Sequence, residues 1–191
     1  MRNRLAFTIA VLSIATLGAA RSGTDRGPFP ARDSRGSHES REGRILASFE
    51  TMYGVDGPFV GDAFSIRDIP GDELPWKVRE ARGRLDSDGH LTIRVRGLVF
   101  TDDPEVPPEL RGKNDEAQFR GAVSCLTEAG DAVVTANVVT QGFPATSGGN
   151  SNIRATVALP NPCVAPIIMV LAGSEEKWFA VTGFESAEGD Q

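Results

Sequence analysis

From Ile45 to Phe184 the apolar positions fall in short runs rich in Val, Ile, Thr and Phe. Gly, Pro, Asn and Asp interrupt these runs at intervals of roughly 8 to 12 residues, and no stretch keeps helical spacing for three turns. The pattern predicts an all-β domain with strands at 45–52, 62–68, 76–85, 90–100, 117–126, 132–140, 152–159, 166–172 and 177–184. The first is the least distinct, because Ile45 to Tyr53 also suits a short helix.

One hairpin can be laid out residue by residue. Asp86, Ser87, Asp88 and Gly89 separate two alternating runs, and a three-residue loop ending in a left-handed Gly is a favoured connection. With Ser87 to Gly89 as the loop, Asp86 faces His90, Leu85 faces Leu91, Gly83 faces Ile93 and Ala81 faces Val95. The opposite face then receives Arg84 with Thr92, Arg82 with Arg94, and Glu80 with Arg96. A slip of one residue would mix Leu and Arg across the sheet. Upstream the phase breaks, since Trp76 and Val78 look buried where Lys77 and Arg79 should point inward, and a β-bulge near Arg79 and Glu80 is the expected repair. A second hairpin is expected to turn through Glu128, Ala129 and Gly130, and a third through Gly173 to Glu176. The near-continuous apolar runs Ile167–Leu171 and Trp178–Val181 imply burial on both faces or at a dimer contact.

Nine short strands and a Pro-rich crossing from Asp102 to Arg111 suit two packed sheets better than a closed barrel, so the expected fold is a Greek-key β-sandwich of eight or nine strands. The chain has two cysteines, Cys125 and Cys163, 38 positions apart with no Trp between them, unlike a true immunoglobulin domain. Their compartment follows from the start of the chain. Arg2 and Arg4 precede an uncharged, mostly apolar run from Leu5 to Ala20 that ends in Gly18, Ala19 and Ala20, the layout of a secretory signal peptide. Export, to the exterior or the periplasm, places the cysteine pair in an oxidising environment, and one disulfide is expected. Closing that loop is worth ~3 to 4 kcal/mol in the chain-entropy model. The remaining organisation reads as a disordered leader at 21–44, the sandwich at 45–186 and a flexible end at 187–191, with no membrane insertion after cleavage.

Charge sharpens this picture. The chain carries −6 overall, and its first 44 residues hold eight Arg against four acids, which leaves −10 for the remainder. Such a body repels nucleic acid and anionic membrane at long range, so an extracellular glycan or protein is the expected class of partner. Against that background Arg82, Arg84, Arg94 and Arg96 reverse the sign locally on the polar face of the first hairpin. Guanidinium forks grip carboxylate, sulfate or phosphate in bidentate fashion, which makes this face the candidate anion site.

Other chemistries find less support. The two His are His38, in the leader, and His90, which suits a turn-closing bond to Asp86; no Gly-x-Ser-x-Gly elbow occurs. A close CxxC spacing, as zinc would want, is missing. Asp102, Asp103 and Glu105 form a candidate calcium loop, while Asp86-Ser87-Asp88-Gly89 departs from an EF-hand because its Gly is fourth rather than sixth. The expected function is a secreted, non-catalytic binding or structural module at the cell exterior, without cofactor unless calcium binds that loop. The alternative is a small exported hydrolase using loop carboxylates such as Asp68, Asp72 and Glu73 or Asp102, Asp103 and Glu105, calcium-assisted or not.

Overall fold

The structure, a computed structural model, describes residues 43–183. The predicted signal peptide, the leader up to residue 42 and the predicted flexible end lie outside the described residues. In chain order the strands are β1 (Ile45–Phe49), β2 (Tyr53–Gly54), β3 (Ser65–Ile66), β4 (Ile69–Pro70), β5 (Trp76–Lys77), β6 (Glu80–Asp86), β7 (His90–Arg96), β8 (Val99–Phe100), β9 (Gln118–Ala129), β10 (Ala132–Val139), β11 (Phe143–Pro144), β12 (Ser151–Thr156), β13 (Val164–Ala172) and β14 (Trp178–Val181). Eight of these are four residues or longer, and the rest are two-residue pairings. The predicted all-β class and strand number both hold.

Two antiparallel sheets carry the fold. One has the order β1-β6-β7-β12, the other β10-β9-β13-β14-β2, with β11 also on β9. Neighbours such as β7 and β12, or β9 and β13, are far apart in sequence, so the chain crosses repeatedly between layers as a Greek-key sandwich does. Leu85, Leu91, Ile93, Val95 and Ile153 of the smaller sheet are buried, as are Phe119, Val123, Ile168 and Val170 of the larger one. Gly121 of β9 faces the smaller sheet across the core. A Cβ there would come within 3.1–3.2 Å of Leu91, Ile93 and Ile153, so a side chain would push the sheets apart. One end of the core is aromatic: Trp76 stacks on Phe179 with ring centres 4.0 Å apart, and Phe100 lies 4.1 Å from Trp76. The Cys125–Cys163 disulfide is formed and fastens the turn before β13 to β9.

The first hairpin has the predicted register from Glu80↔Arg96 to Leu85↔Leu91. At the expected bulge the Arg79 amide donates to the Arg96 carbonyl at 3.2 Å, so Arg79 and Glu80 both face Arg96. Beyond it Trp76 pairs with Phe100 and Lys77 with Val99 at the same net register. On the partner strand Gly97 sits at φ +68, and past the break Trp76 and Leu98 enter the core. The predicted strand 62–68 is corrected to a tight two-residue turn. Arg67 and Asp68 sit at φ +52 and +67 between Ile66 and Ile69, the mirror-image turn that suits hairpins but here lacks its usual Asn-Gly signal. The second hairpin turns at Gly130 and Asp131, because pairing runs out to Ala129↔Ala132. The third turns through residues 173–176 as expected, with the Ala172 amide donating to the Lys177 carbonyl at 2.9 Å.

The apolar runs of β13 and β14 are buried on both faces within the chain itself. After β2 the chain folds back across the outer side of the larger sheet. There the Phe59 ring lies 6.2 Å from Trp178, Gly71 bridges to Trp178, and Asn137 of β10 donates to the Arg67 carbonyl at 2.8 Å.

Candidate functional site

The alternation that sends Ala81, Leu85, Leu91, Ile93, Val95 and Ile153 into the core sends their neighbours to the outer face of the smaller sheet. Pairing sets those neighbours in rows. Ser48, Arg84, Thr92 and Arg154 stand side by side across β1, β6, β7 and β12. The next row holds Arg82, Arg94 and Asn152, and the row beyond it Glu80 and Arg96. Cross-strand neighbours have Cβ atoms about 5 Å apart and rows on one strand are about 7 Å apart, so four guanidinium groups converge around Thr92. They border an open basin of about 500 Å³ whose rim also includes Ser48, Phe49 and Glu50.

The electrostatics of this basin are lopsided. Arg82 and Arg94 are directly opposed, an unfavourable pairing of like charge, and both approach the Glu80 carboxylate, at 3.6 and 3.9 Å. Arg84 and Arg154 have no ion-pair partner among the described residues. Of the four arginines singled out from the sequence, three belong to the basin. Arg96 is occupied elsewhere: its guanidinium donates to the carbonyls of Val95 and Ser151 at 2.6 and 2.9 Å and to Asn152 Oδ1 at 3.0 Å, which ties β7 to β12. Arg154 takes its place. It went unnoticed in the sequence because the pairing of β12 with β7 joins segments some 60 residues apart, although Ile153 beside it marked the alternation.

The acidic candidates are engaged in local structure. Asp102 accepts from Lys77 Nζ at 2.5 Å, and that ammonium holds its carboxyl below the ordinary range. Asp103 accepts from the Glu105 amide at 2.9 Å, closing a turn. Asp102, Asp103 and Glu105 do not converge; among the described residues the groups with three close ligand-type atoms are Asp86, Asp88, His90 and Asp72, Glu73, Glu175. In the first group, Asp86 is buried, which by itself would raise its pKa. The His90 amide and ring and the Asp88 amide donate to it at 3.0–3.1 Å, and their combined effect lowers it. The bond to His90 closes the hairpin, as the sequence suggested. In the second, burial raises the pKa of Asp72, against the opposing hydrogen bond from Trp76 Nε1 at 2.7 Å. Lys177 pairs with both Glu73 and Glu175.

No protein-family model, no curated protein and no solved structure matches this chain. Among the described residues no helix is long and apolar enough to cross a membrane.

Proposed function

We propose that this protein is a secreted, non-catalytic β-sandwich module that binds an anionic glycan at the cell exterior through Arg82, Arg84, Arg94 and Arg154. One observation carries the reading: an acidic domain concentrates four arginines around one open basin, two of them directly opposed. Solubility alone would be served by mixed charge, whereas a fixed plate of guanidinium forks suits a repeating series of sulfate or carboxylate groups. The row from Arg84 to Arg154 spans two strand spacings, ~10 Å, and the step from Arg82 to Arg84 along β6 is ~7 Å, so a linear polymer lying across the strands meets several forks at once. Thr92, Ser48 and Asn152 supply neutral hydrogen-bonding groups between them.

Binding to immobilised dextran sulfate, polygalacturonate and neutral dextran at two salt concentrations tests this. The anionic polymers are expected to bind, more weakly at the higher salt, and the neutral one not to bind. Equal retention of the parent and an Arg82→Ala/Arg94→Ala variant would remove the proposal. The hydrolase alternative draws on the raised carboxyl of Asp72 beside Glu73 and Glu175. Release of new reducing ends from the polymers, lost in Asp72→Asn, would favour it instead.

A further inference from the structure

The free edges of the two sheets are guarded unequally. Natural edge strands avoid pairing with other chains by being short, bulged or charged. β1 is five residues long with an irregular register between Ile45 and Ala47, β2 has two residues, and β12 carries Arg154. β10 has none of these devices. It runs eight residues in unbroken register, without Pro or charge, and no charged residue occurs anywhere between Asp131 and Arg154.

Its hydrogen-bonding groups are placed by the turn before it. In a two-residue hairpin the residues flanking the loop exchange both hydrogen bonds, so Ala132, Val134, Ala136 and Val138 bond to β9. Thr140, next in that alternation, donates to the Gly121 carbonyl at 2.8 Å, as this requires. Val133, Thr135, Asn137 and Val139 therefore aim their amides and carbonyls away from the sheet, where they have no backbone partner among the described residues. The Val133 side chain is 71% exposed.

We infer that β10 is a homotypic docking edge, taken by the β10 strand of a second copy in antiparallel pairing. A twofold axis at Ala136 sets Val133 opposite the partner's Val139, Thr135 opposite the partner's Asn137, and Val134 opposite the partner's Val138. These are apolar pairs and one polar pair, in which Asn137 Nδ2 is engaged by the Arg67 carbonyl and its Oδ1 is left to accept from the partner's Thr135 hydroxyl, so the strand is complementary to itself. Charge favours a second copy over a charged partner. Two chains of net −6 repel over most of their surfaces, but β10 itself carries no ionised side chain, and Asp131 falls opposite the partner's Gln141. One eight-residue strand pairing buries less than the ~1,000 Å² of a stable interface, so the dimer is a weak one that forms as concentration rises.

Sedimentation velocity of the full chain under oxidising conditions, from about 1 to 500 µM, tests the inference on the scale of a weak complex. The parent is expected to shift from monomer toward dimer with concentration. Val133→Lys charges the edge, and Thr135→Pro deletes one outward amide while sparing every bond to β9. Both are expected to stay monomeric with unchanged circular dichroism, while Thr156→Lys on the β12 edge dimerises like the parent. A parent that is monomeric throughout, or a folded Val133→Lys protein that associates as the parent does, overturns it. The measurement needs no glycan and is independent of the Arg basin.

Discussion

The outer faces of the two sheets solve opposite problems. On the smaller sheet the outward positions of β6, β7 and β12 carry Arg82, Arg84, Arg94, Arg96 and Arg154 with Glu80, Thr92 and Asn152, and the face stands open. On the larger sheet the outward positions of β13 and β14 hold Met169, Leu171, Trp178 and Val181, all buried. The chain supplies its own cover there, between β2 and β5. An apolar face must be paired with something, and a stretch that reads as a poor strand in the sequence is what does it. An open face is under no such demand, so what occupies it reflects solubility or binding.

Cutting into the covered face is expected to have the largest effect. Trp178→Ala removes a buried indole that contacts Phe59 and belongs to the central cluster, at an expected cost of ~3 to 5 kcal/mol. Arg84→Ala on the open face should stay within about 0.5 kcal/mol of the parent. Urea unfolding midpoints at constant m-value measure both. If the two variants lose similar amounts, the excursion is a loosely draped loop and the contrast between faces is superficial.

Two buried carboxylates sharpen the contrast through pH. Hydrogen bonds hold Asp86 in the first hairpin below the ordinary 3.8, outweighing its burial. Its contribution is therefore present above that unfolded value and is lost as pH falls through the lowered folded one. Burial raises Asp72, near the cover, above 3.8, so the folded state keeps its proton longer than the unfolded chain does. That contribution is full below 3.8 and disappears as pH rises through the raised value. Relative to the parent, Asp86→Asn should be least stable near neutrality and converge with it in acid, because only the ionised carboxylate draws its full strength from those donors. Asp72→Asn can still accept from Trp76 and should gain on the parent between acid and neutral pH. Denaturation at several pH values gives two differences of opposite slope; slopes of the same sign would show that one of the two environments is misassigned.

What the sequence disclosed follows the same division. The β6–β7 hairpin was legible because strict alternation and Gly89 constrain it locally, and both the register and the row of arginines follow from those two signals. The disulfide was legible because a start of chain that reads as an export signal, together with an even pair of cysteines, predicts it. The cover was not, because its turn uses Arg67 and Asp68 at positive φ, where sequence statistics lead one to look for Asn-Gly. The β9–β10 turn was placed too early because Thr127 to Ala129 project beyond the core and lose the burial that creates alternation. Arg154 and the role of Arg96 depend on β12 lying beside β7, a non-local pairing that no single segment encodes.

The smallest expected effect is also the one that separates the two explanations of the open face. Arg94 stands opposite Arg82 and lies 3.9 Å from Glu80, which Arg82 also approaches. Replacing it with Thr removes a like-charge pair, leaves Glu80 to Arg82 alone, and installs a residue well suited to an exposed strand. Arg94→Thr should therefore leave stability unchanged or raise it by ~0.2 to 1 kcal/mol while weakening retention on dextran sulfate. Thermal unfolding and polymer binding on the same sample measure the two quantities. A residue kept for binding shows this divergence, with function falling as stability holds or rises. If Arg94→Thr instead unfolds earlier and binds as the parent does, Arg94 serves the fold and the basin has no ligand to explain.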